Sequence, residues 1–439
     1  MTQVLSADWV LPISAPPIEN GAVAFEGGRI VALGPASELG EGTRYADAAI
    51  LPGLVNAHSH LEYAVYSGFG DGLEFGPWLE THMRRKRRAG WEEYLDIARL
   101  GAAACLHSGI TTTADTSFSG AAAVACAELG LRAIVHLETF GATAEAAMAW
   151  YEDLRVRAAD AFSDLVRPGV SPHAPYTVSV EAYEACAALG LPIVTHLNES
   201  AGELEWLHSG TGPMARNADV LVAPPGTSGI RLLAGHDLLG PHVLAVHCVV
   251  VDGEEIALLA RHDVAVAHCP RSNAFLGCGI APVAELQAAG IRVGLGTDSP
   301  ASTPSFDMFD EMRAAVLLAR LRSRRPEAMP AAHALELATL GSARALRLDA
   351  EVGSLEPGKR ADLAVVSLEG SPFLPWEDPA AAVVLGGSPE RVVSTIVEGQ
   401  VRYVRGEVEW PELQRTGRNA RRRLLGSERS APAATTRRL

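Results

Sequence analysis

The chain has 439 residues, of which 48% are hydrophobic and 20% are charged, and its 37 basic and 52 acidic residues give a net charge of −15. This size and composition predict a globular protein with one large domain and a smaller one. The acidic balance argues against nucleic acid as the main partner, and no apolar run reaches the roughly 20 residues needed to span a bilayer. We therefore expect a small-molecule substrate and neither a nucleic-acid nor a membrane partner.

The N-terminus and the cysteines favour a cytoplasmic location. Residues 1–13 have no basic region and no long apolar core, so we expect no signal peptide. The six cysteines are scattered, and no two have the C-x-x-C spacing. Free buried thiols in a reducing cytoplasm are the expected state.

The two ends of the chain share a strand-rich pattern. Gly27 and Gly28 separate two apolar runs and predict a hairpin, because glycine readily adopts the positive φ of a tight turn. Residues 361–367, 392–398 and 399–404 show the same strand-like pattern late in the chain. We predict that residues 1–50 and 350–412 pair into one small β-sandwich domain.

The middle of the chain, residues 51–349, alternates short apolar strands with alanine-rich helices. Eight such strands with intervening helices predict an α/β fold, a (β/α)8 TIM-like barrel rather than an open sheet. Residues 208–230, rich in Gly, Pro and Thr, predict an inserted loop of the kind that covers an active site. The predicted strands span residues 51–57, 111–115, 133–138, 169–172, 193–197, 243–247, 265–268 and 293–298.

Two arginine-rich segments are interpreted as solvated rather than functional. Residues 413–439 have little apolar content and are predicted to form a disordered tail. The run 84–88, Arg-Arg-Lys-Arg-Arg, falls in a predicted helix of an acidic protein. We interpret it as a solvent-facing helix surface and not as a nucleic-acid patch.

Polar side chains follow several predicted strands at the end where a parallel barrel carries its chemistry. His58 and His60 are two residues apart at the end of the first strand, so both imidazoles can face one ion. His196 ends the fifth strand and Asp298 the eighth. Imidazole nitrogens and a carboxylate oxygen are the usual ligands of a catalytic zinc-like ion with one position left for water. The pattern predicts a metal-activated hydrolase.

Further residues beside this cluster are candidates for catalysis. Glu199 follows His196 by three residues and could serve as general acid/base, or else as a helix N-terminal carboxylate. Asp298 could accept a proton from the nucleophilic water, or else cap the following helix. His247, ending the sixth strand, is a further ligand, a donor at the reacting carbon, or a core histidine. His173, ending the fourth strand, is interpreted as a substrate contact.

Several segments, found in family order over nearly the whole chain except its Arg-rich tail, resemble the amidohydrolase superfamily in its deaminase and chlorohydrolase branch. They are Leu51-Pro-Gly-Leu-Val-Asn-Ala-His-Ser-His60, Ser171-Pro-His-Ala-Pro-Tyr176, His196-Leu-Asn-Glu199, Pro270-Arg-Ser-Asn273, Gly296-Thr-Asp-Ser299 and Gly353-Ser-Leu-Glu-Pro-Gly-Lys-Arg-Ala-Asp362. The resemblance implies a distorted barrel with a β-sandwich built from both chain ends, and it is compatible with a homodimer.

The resemblance also implies one divalent metal ion, held by His58, His60, His196 and Asp298. Zinc is the first expectation, although iron and manganese also suit nitrogen and oxygen ligands. Glu199 would be the proton shuttle, and His247 would orient the water or stabilise the tetrahedral adduct. Many relatives bridge two metals with a carboxylated lysine on the fourth strand. That strand ends at His173 here and has no lysine, so we expect no such bridge.

Within this branch, four segments resemble the 6-aminodeoxyfutalosine deaminases of menaquinone biosynthesis: His60-Leu-Glu62, Phe75-Gly-Pro-Trp78-Leu79, His196-Leu-Asn-Glu199-Ser200 and Cys269-Pro-Arg271-Ser-Asn273. The expected reaction is hydrolysis of an aminopurine nucleoside, 6-aminodeoxyfutalosine, to futalosine and ammonia, with Trp78 and Arg271 as substrate contacts beside His173. Core packing is the alternative for Trp78.

Other functions stay open at this point. One is deamination of adenosine, methylthioadenosine or S-adenosylhomocysteine, and another is hydrolysis of a triazine. A non-catalytic metal-binding scaffold predicts a degraded site, and is disfavoured because every ligand and Glu199 are retained.

Overall fold

The computed structural model describes residues 1–40 and 42–426 of the chain. Within them, eight parallel strands follow one another around a barrel in chain order. The second and third of these strands are buried over their whole length, as expected for a parallel sheet covered by helices. The barrel strands are Leu54–Ser59, Ile110–Ser117, Arg132–Thr139, Val166–Pro172, Ile193–Leu197, Val243–His247, Ala265–His268 and Val293–Leu295.

Helices connect successive barrel strands, which confirms the predicted (β/α)8 architecture. In the described part of the chain, no helix combines the length and apolar character needed to cross a membrane. The α-helices are Ala36–Leu39, Phe75–Lys86, Trp91–His107, Ala121–Leu129, Ala144–Ala158, Val180–Ala187, Ala201–Ser209, Gly229–Gly235, Gly253–Arg261, Pro270–Phe275, Val283–Ala288, Met308–Ser323, Ala331–Glu336, Ser342–Ala345, Pro379–Gly386 and Pro411–Leu425, with 3-10 turns at Leu61–Tyr63, Ala159–Ala161, Pro213–Asn217 and Pro389–Arg391 and a π-helical turn at Leu337–Gly341.

The two chain ends form a separate mixed sheet with its own apolar core, as predicted. Thr43–Pro52 lies in its middle, parallel to the first strand of the chain and antiparallel to Leu363–Ser367. A buried ion pair between Arg132 Nε and Asp362 Oδ2, 2.9 Å apart, links this sheet to the barrel. The strands are Gln3–Val10, Ile18–Glu19, Gly21–Glu26, Arg29–Pro35, Thr43–Pro52, Leu363–Ser367, Val392–Val397 and Gln400–Val404.

The first predicted strand, 51–57, is divided between the two sheets. Its beginning belongs to Thr43–Pro52 and its end to Leu54–Ser59. Gly53 lies between them and passes so close to Thr111 that a Cβ atom would come within 2.0 Å of its Oγ1. Only glycine lets the chain cross from one sheet to the other at this point.

The C-terminal segment differs from its prediction. Residues 413–425 belong to the helix Pro411–Leu425, so the predicted disorder is wrong there. Gly417, Ala420 and Leu424 are buried, because the helix lays its small residues against Trp91–His107 while most of its arginines stay exposed. Residues 427–439 of the predicted tail lie outside the described residues. Apolar and small residues at helical spacing within the arginine-rich segment therefore indicate a helix face that packs against the protein.

Candidate active site

The residues predicted to hold a metal come together at the carboxyl ends of three barrel strands. His58 and His60 end the first strand, His196 lies in the fifth, and Asp298 follows the eighth. At Asp298 the backbone φ is +53°, a left-handed conformation uncommon outside glycine. Such strain is typical of functional positions, where the surrounding fold holds a side chain in place.

Closure of the barrel brings Asp298 against the histidines. The Asn56 side chain joins the first strand to the last, donating to Thr297 Oγ1 at 2.8 Å and accepting from Thr297 N at 2.9 Å. Gly296 permits this approach, because a Cβ atom there would come within 2.9 Å of His58 Cβ. Asp298 N then donates to His58 O at 3.0 Å, which fixes the carboxylate beside the His-x-His pair.

The resulting cluster has the dimensions of a metal site. One ring nitrogen from each of His58, His60 and His196 lies within 4.8 Å of the others. Asp298 Oδ1 lies 3.5 Å from His58 Nε2 and 3.4 Å from His60 Nε2. Three imidazoles and one carboxylate, all buried, form a donor set suited to a divalent ion of the zinc type.

Hydrogen bonds to backbone carbonyls orient two of these histidines. His60 Nδ1 lies 3.1 Å from Thr116 O, and His196 Nδ1 lies 2.8 Å from His173 O. A carbonyl only accepts, so Nδ1 carries the proton on both rings and Nε2 is left with its lone pair. This arrangement is the usual one for metal-binding histidines.

His58 supplies the observation that favours a cation most directly. The ring is fully buried, yet neither nitrogen has a hydrogen-bond partner among the described residues. A buried polar atom without a partner is costly, by about 1–3 kcal/mol. A divalent ion among the three histidines and Asp298 would engage one of these two nitrogens, Nε2, which faces the Asp298 carboxylate, so the residues fit the metal that the sequence predicts.

The second carboxylate oxygen of Asp298 is held by two hydroxyls that the sequence prediction missed. Ser272 Oγ and Ser302 Oγ donate to Oδ2 at 2.6 and 2.7 Å. Burial alone would raise the pKa of Asp298, but the facing histidines outweigh it and hold that pKa well below its ordinary value. The carboxylate is therefore ionised and directs its free oxygen at the cluster.

Glu199 lies in the same cavity and is almost fully buried. The Ser200 side chain caps the following helix and Glu203 accepts from the Asn198 and Glu199 amides, so Glu199 is not the helix cap. Burial raises the pKa of Glu199 well above its ordinary value, and the charges of Asp298 and Glu203 add to the effect. A raised pKa favours the protonated form of the carboxyl group, which suits the predicted general-acid role.

His247 faces Glu199 across the cluster, with His247 Nε2 3.6 Å from Glu199 Oε1. Its other nitrogen, Nδ1, lies 2.9 Å from Asn273 Oδ1, so Asn273 orients the ring. Burial lowers the pKa of His247 to about 4, which keeps the imidazole neutral. Its backbone φ of +73° again marks a strained position at a strand end.

A cavity of about 440 Å³ opens from this cluster toward the surface. His173 and Trp78 line it, and their role as substrate contacts stays a prediction. Trp78 stacks on His82 at 5.2 Å, and its Nε1 donates to Ala301 O at 3.1 Å. Part of the inserted loop, residues 219–222, lines the outer part of the same cavity.

Arg271 is not a substrate contact in this fold. Its Nε lies 2.5 Å from Glu311 Oε1, and its Nη2 donates to Ser305 O at 2.6 Å. The guanidinium is thus bound to the helix Met308–Ser323 and the loop before it, and it does not line the cavity. Because the Glu311 carboxylate is fully buried, it needs a cation beside it, and Arg271 supplies that cation. The predicted role of Arg271 as a substrate contact is therefore wrong.

The sequence prediction also missed the cavity residues Lys86 and Glu138. Lys86, interpreted as part of a solvated surface, turns inward with 21% of its side chain exposed. The signal was present in the spacing of Trp78, His82 and Lys86, which places all three on one helical face. Glu138, the penultimate residue of the third barrel strand, has the position expected of a site residue.

Comparisons with known proteins identify the family of the chain. The amidohydrolase family profile matches residues 49–402. The 5-methylthioadenosine/S-adenosylhomocysteine deaminase of Moorella thermoacetica is 36% identical over 417 residues, covering 91% of this chain and 93% of its own.

Two solved structures share the fold over almost the whole chain. An adenosine deaminase from Xanthomonas campestris with bound zinc has a TM-score of 0.83 and 29% identity, covering 96% of this chain and 98% of its own. An atrazine chlorohydrolase from Arthrobacter aurescens, complexed with zinc, has a TM-score of 0.81 and 25% identity, covering 96% and 99%. The chain therefore belongs to the amidohydrolase family, in the branch of hydrolytic deaminases that act on C–N bonds.

Proposed function

We propose that this chain hydrolyses the 6-amino group of an adenine nucleoside that carries a substituent at its 5′ position. Two of the three proteins compared above are named for adenosine or for its 5′-thio derivatives, which supports the nucleoside class. Our first candidate is 6-aminodeoxyfutalosine, converted to futalosine and ammonia in menaquinone biosynthesis. Its 5′ arm ends in an aromatic ring that bears a carboxylate.

The observation that carries this choice is the set of side chains that line the outer part of the cavity. Its walls are aromatic beyond the histidine cluster, with Phe75, Trp78, Phe140 and Tyr176 facing the space. The exposed side chain of Arg87 lies at the same cavity, the one cation of the outer lining that is open to solvent among the described residues. An aromatic acid can stack on such walls and place its carboxylate near the guanidinium.

The proposed reaction assigns one role to each buried group. A divalent ion at His58, His60, His196 and Asp298, zinc by preference, would act as a Lewis acid that lowers the pKa of bound water from about 15.7 toward about 7. As water adds to the amine-bearing carbon, Glu199 gives a proton to the adjacent ring nitrogen and Asp298 accepts one from the water. Transfer of that proton from Asp298 to the amino group releases ammonia, and the proton of the adduct's hydroxyl returns to Glu199. His247, whose Nδ1 proton is bound by Asn273 Oδ1, would orient the attacking water by accepting from it at Nε2.

The second candidate is a 5-methylthioadenosine/S-adenosylhomocysteine deaminase, favoured by the 36% identity to the Moorella enzyme. Ammonia release from 6-aminodeoxyfutalosine, adenosine, methylthioadenosine and S-adenosylhomocysteine, measured in parallel with zinc-loaded protein, separates the two. Preference for the futalosine compound is the expected result. Preference for a thio-nucleoside would support a deaminase but reject a role in menaquinone biosynthesis. Absence of ammonia from every compound would favour the triazine-hydrolase alternative.

Arg87 offers a sharper test of the first candidate. In Arg87→Gln, we expect KM to rise about tenfold for 6-aminodeoxyfutalosine, because a hydrogen bond between charged groups is lost. The same variant should leave the KM for adenosine unchanged, since adenosine has no acidic arm. An equal change for both substrates would contradict the proposed contact.

A further inference from the structure

The cavity contains one buried ion pair that the reaction described above does not use. Glu138 is 2% exposed and Lys86 21%, and Lys86 Nζ lies 3.7 Å from Glu138 Oε2. This distance is longer than a direct hydrogen bond. The two charges therefore attract each other, but neither group fills a hydrogen-bonding position of the other. Burial raises the pKa of Glu138 and lowers that of Lys86, as expected for charges taken out of water.

The surroundings of the pair are aromatic rather than polar. Lys86 Nζ lies 3.5 Å from the centroid of the Phe118 ring, 5.2 Å from that of Phe140 and 5.6 Å from that of Tyr63. The ammonium has three donors and the carboxylate about four acceptor positions, and the described residues 1–40 and 42–426 leave most of this hydrogen-bonding capacity unfilled. Buried charged groups with unfilled hydrogen-bonding positions destabilise the fold unless a further polar group forms hydrogen bonds with them.

The second carboxylate nearby, that of Glu62, has no donor with which to complete Glu138. Glu62 is fully buried, and its own oxygens accept from the Ser119 hydroxyl at 2.9 Å and from the Phe118 and Ser119 amides at 3.1 Å. Glu62 therefore contributes charge that attracts Lys86, but it has no donor to offer. The open side of the Lys86–Glu138 pair faces the cavity, which both residues line.

One aromatic ring separates the pair from the histidine cluster on either side. Tyr63, which contacts Lys86, lies 5.4 Å from the His60 ring, and Phe140 lies 5.0 Å from the His173 ring. If the amino-bearing carbon of a purine lies at the cluster and its rings lie beside Tyr63 and Phe140, the group attached to the far side of the purine is directed toward the pair. In a nucleoside that group is the ribose.

We infer that Glu138, held in place by Lys86, binds the ribose hydroxyls of the substrate and selects ribonucleosides over their deoxy forms. This assignment rests on the proposed function and names the sugar contact of the same site. A vicinal diol has two donors for the carboxylate and two acceptors for the ammonium. The pair has no net charge, so it favours a neutral, hydroxyl-bearing group over an anionic or cationic one.

The test compares adenosine, 2′-deoxyadenosine and 3′-deoxyadenosine with zinc-loaded, full-length wild type and Glu138→Gln. In the wild type, kcat/KM should fall about 10- to 100-fold when a bound hydroxyl is removed, the range of a hydrogen bond to a charged group. Glu138→Gln should lose a similar factor on adenosine and little on the deoxy substrate. This dependence on the substrate is a signature that a purely structural role does not produce.

Two further variants keep the result interpretable. Glu145→Gln removes an exposed carboxylate from the helix that follows the same strand and should behave as the wild type. The double variant Glu138→Gln/Lys86→Met removes both charges, so it avoids an unpaired buried ammonium if the single variant melts early. It should show the same loss of discrimination between adenosine and its deoxy analogues.

The possible outcomes separate this inference from the proposed function. An equal loss on all three nucleosides in both variants, or a wild type that does not discriminate among them, would overturn the role of Glu138 and leave the deaminase intact. Absence of ammonia from every nucleoside with the wild type would instead reject the proposed function, and the ribose contact with it.

Discussion

The inner and outer ends of the cavity are built from different parts of the fold. At the inner end, His58 and His196 lie on barrel strands, His60 directly follows the first of these strands, and all three are buried. At the outer end, Arg87 and residues 219–222 belong to a helix end and an inserted loop and are more exposed. The barrel thus holds the chemistry rigidly, while elements outside it determine which molecule reaches that chemistry. Changes at the two ends should have separable effects.

The largest effect is expected from removing a ligand at the inner end. His196→Ala should lose bound metal and lower kcat/KM by more than about 10³-fold, because the ion supplies several kcal/mol of charge stabilisation. Metal analysis of the purified protein together with ammonia release checks this. Trp78→Ala, at the outer end, is the matched control and should retain its metal. A His196→Ala protein with full metal content and normal turnover would refute the ligand assignment.

Glu199→Gln separates the acid/base group from the metal cage. The change keeps the size of the side chain and removes its proton, so kcat should fall about 10²- to 10⁴-fold. Metal content should equal that of the wild type, since Glu199 is not among the proposed ligands. Normal turnover with this substitution would disprove the proton-shuttle role.

The inner end was predictable from the sequence because its residues follow strands. A buried apolar run ending in His58-Ser-His60 fixes both the strand and the direction of its side chains, and the same logic placed His196 and Asp298. Ser272 belongs to the motif Pro270-Arg-Ser-Asn273, but the motif does not indicate that its hydroxyl binds Asp298. A hydroxyl near a strand end does not reveal which carboxylate, 26 residues away, it will face.

The outer end was less predictable because rotation of a helix about its axis is decided by tertiary packing. Lys86 looked solvated within its arginine run, yet Glu62 and Glu138 draw it inward. Arg271 was predicted to contact the substrate, yet buried Glu311, forty residues later, binds its guanidinium outside the cavity lining. In both cases the partner is a distant buried carboxylate, which local spacing does not disclose.

Ser272→Ala tests how the inner end is supported. It removes one of the two hydroxyls on Asp298 Oδ2, and metal affinity should fall about 10- to 100-fold, as is usual when a partner of a ligand is removed. Competition with a chelator measures the affinity. Ser302→Ala should give a similar loss, and an unchanged affinity in both variants would show that Asp298 needs no such support.

Trp78→Ala tests the outer end itself. Loss of a stacked ring costs about 1–3 kcal/mol per base, so KM should rise roughly tenfold or more while metal content stays constant. Steady-state kinetics with the preferred nucleoside checks this. Trp78→Phe is the control that keeps a stacking surface and removes only the hydrogen bond to Ala301. If Trp78→Ala lowered kcat and left KM unchanged, the ring would belong to the reacting end of the cavity.

The smallest effect is expected at the C-terminal helix, which touches the outer end indirectly. Arg421 donates to Val65 O and to Ser67 O, and its guanidinium lies 4.4 Å from the centroid of the Phe69 ring. The loop it binds leads directly into the helix that carries Trp78, Lys86 and the start of the outer wall. Arg421→Met keeps the aliphatic packing and removes these contacts.

This change should loosen the loop without reaching the barrel. Hydrogen exchange of residues 65–74 should accelerate by about 5- to 30-fold, corresponding to 1–2 kcal/mol of local stability, and KM should rise only a few-fold. Arg418→Met, on an exposed position of the same helix, is the control. A loss of metal in Arg421→Met would contradict the separation of the two ends, because it would mean that the strand ends depend on a helix outside the barrel.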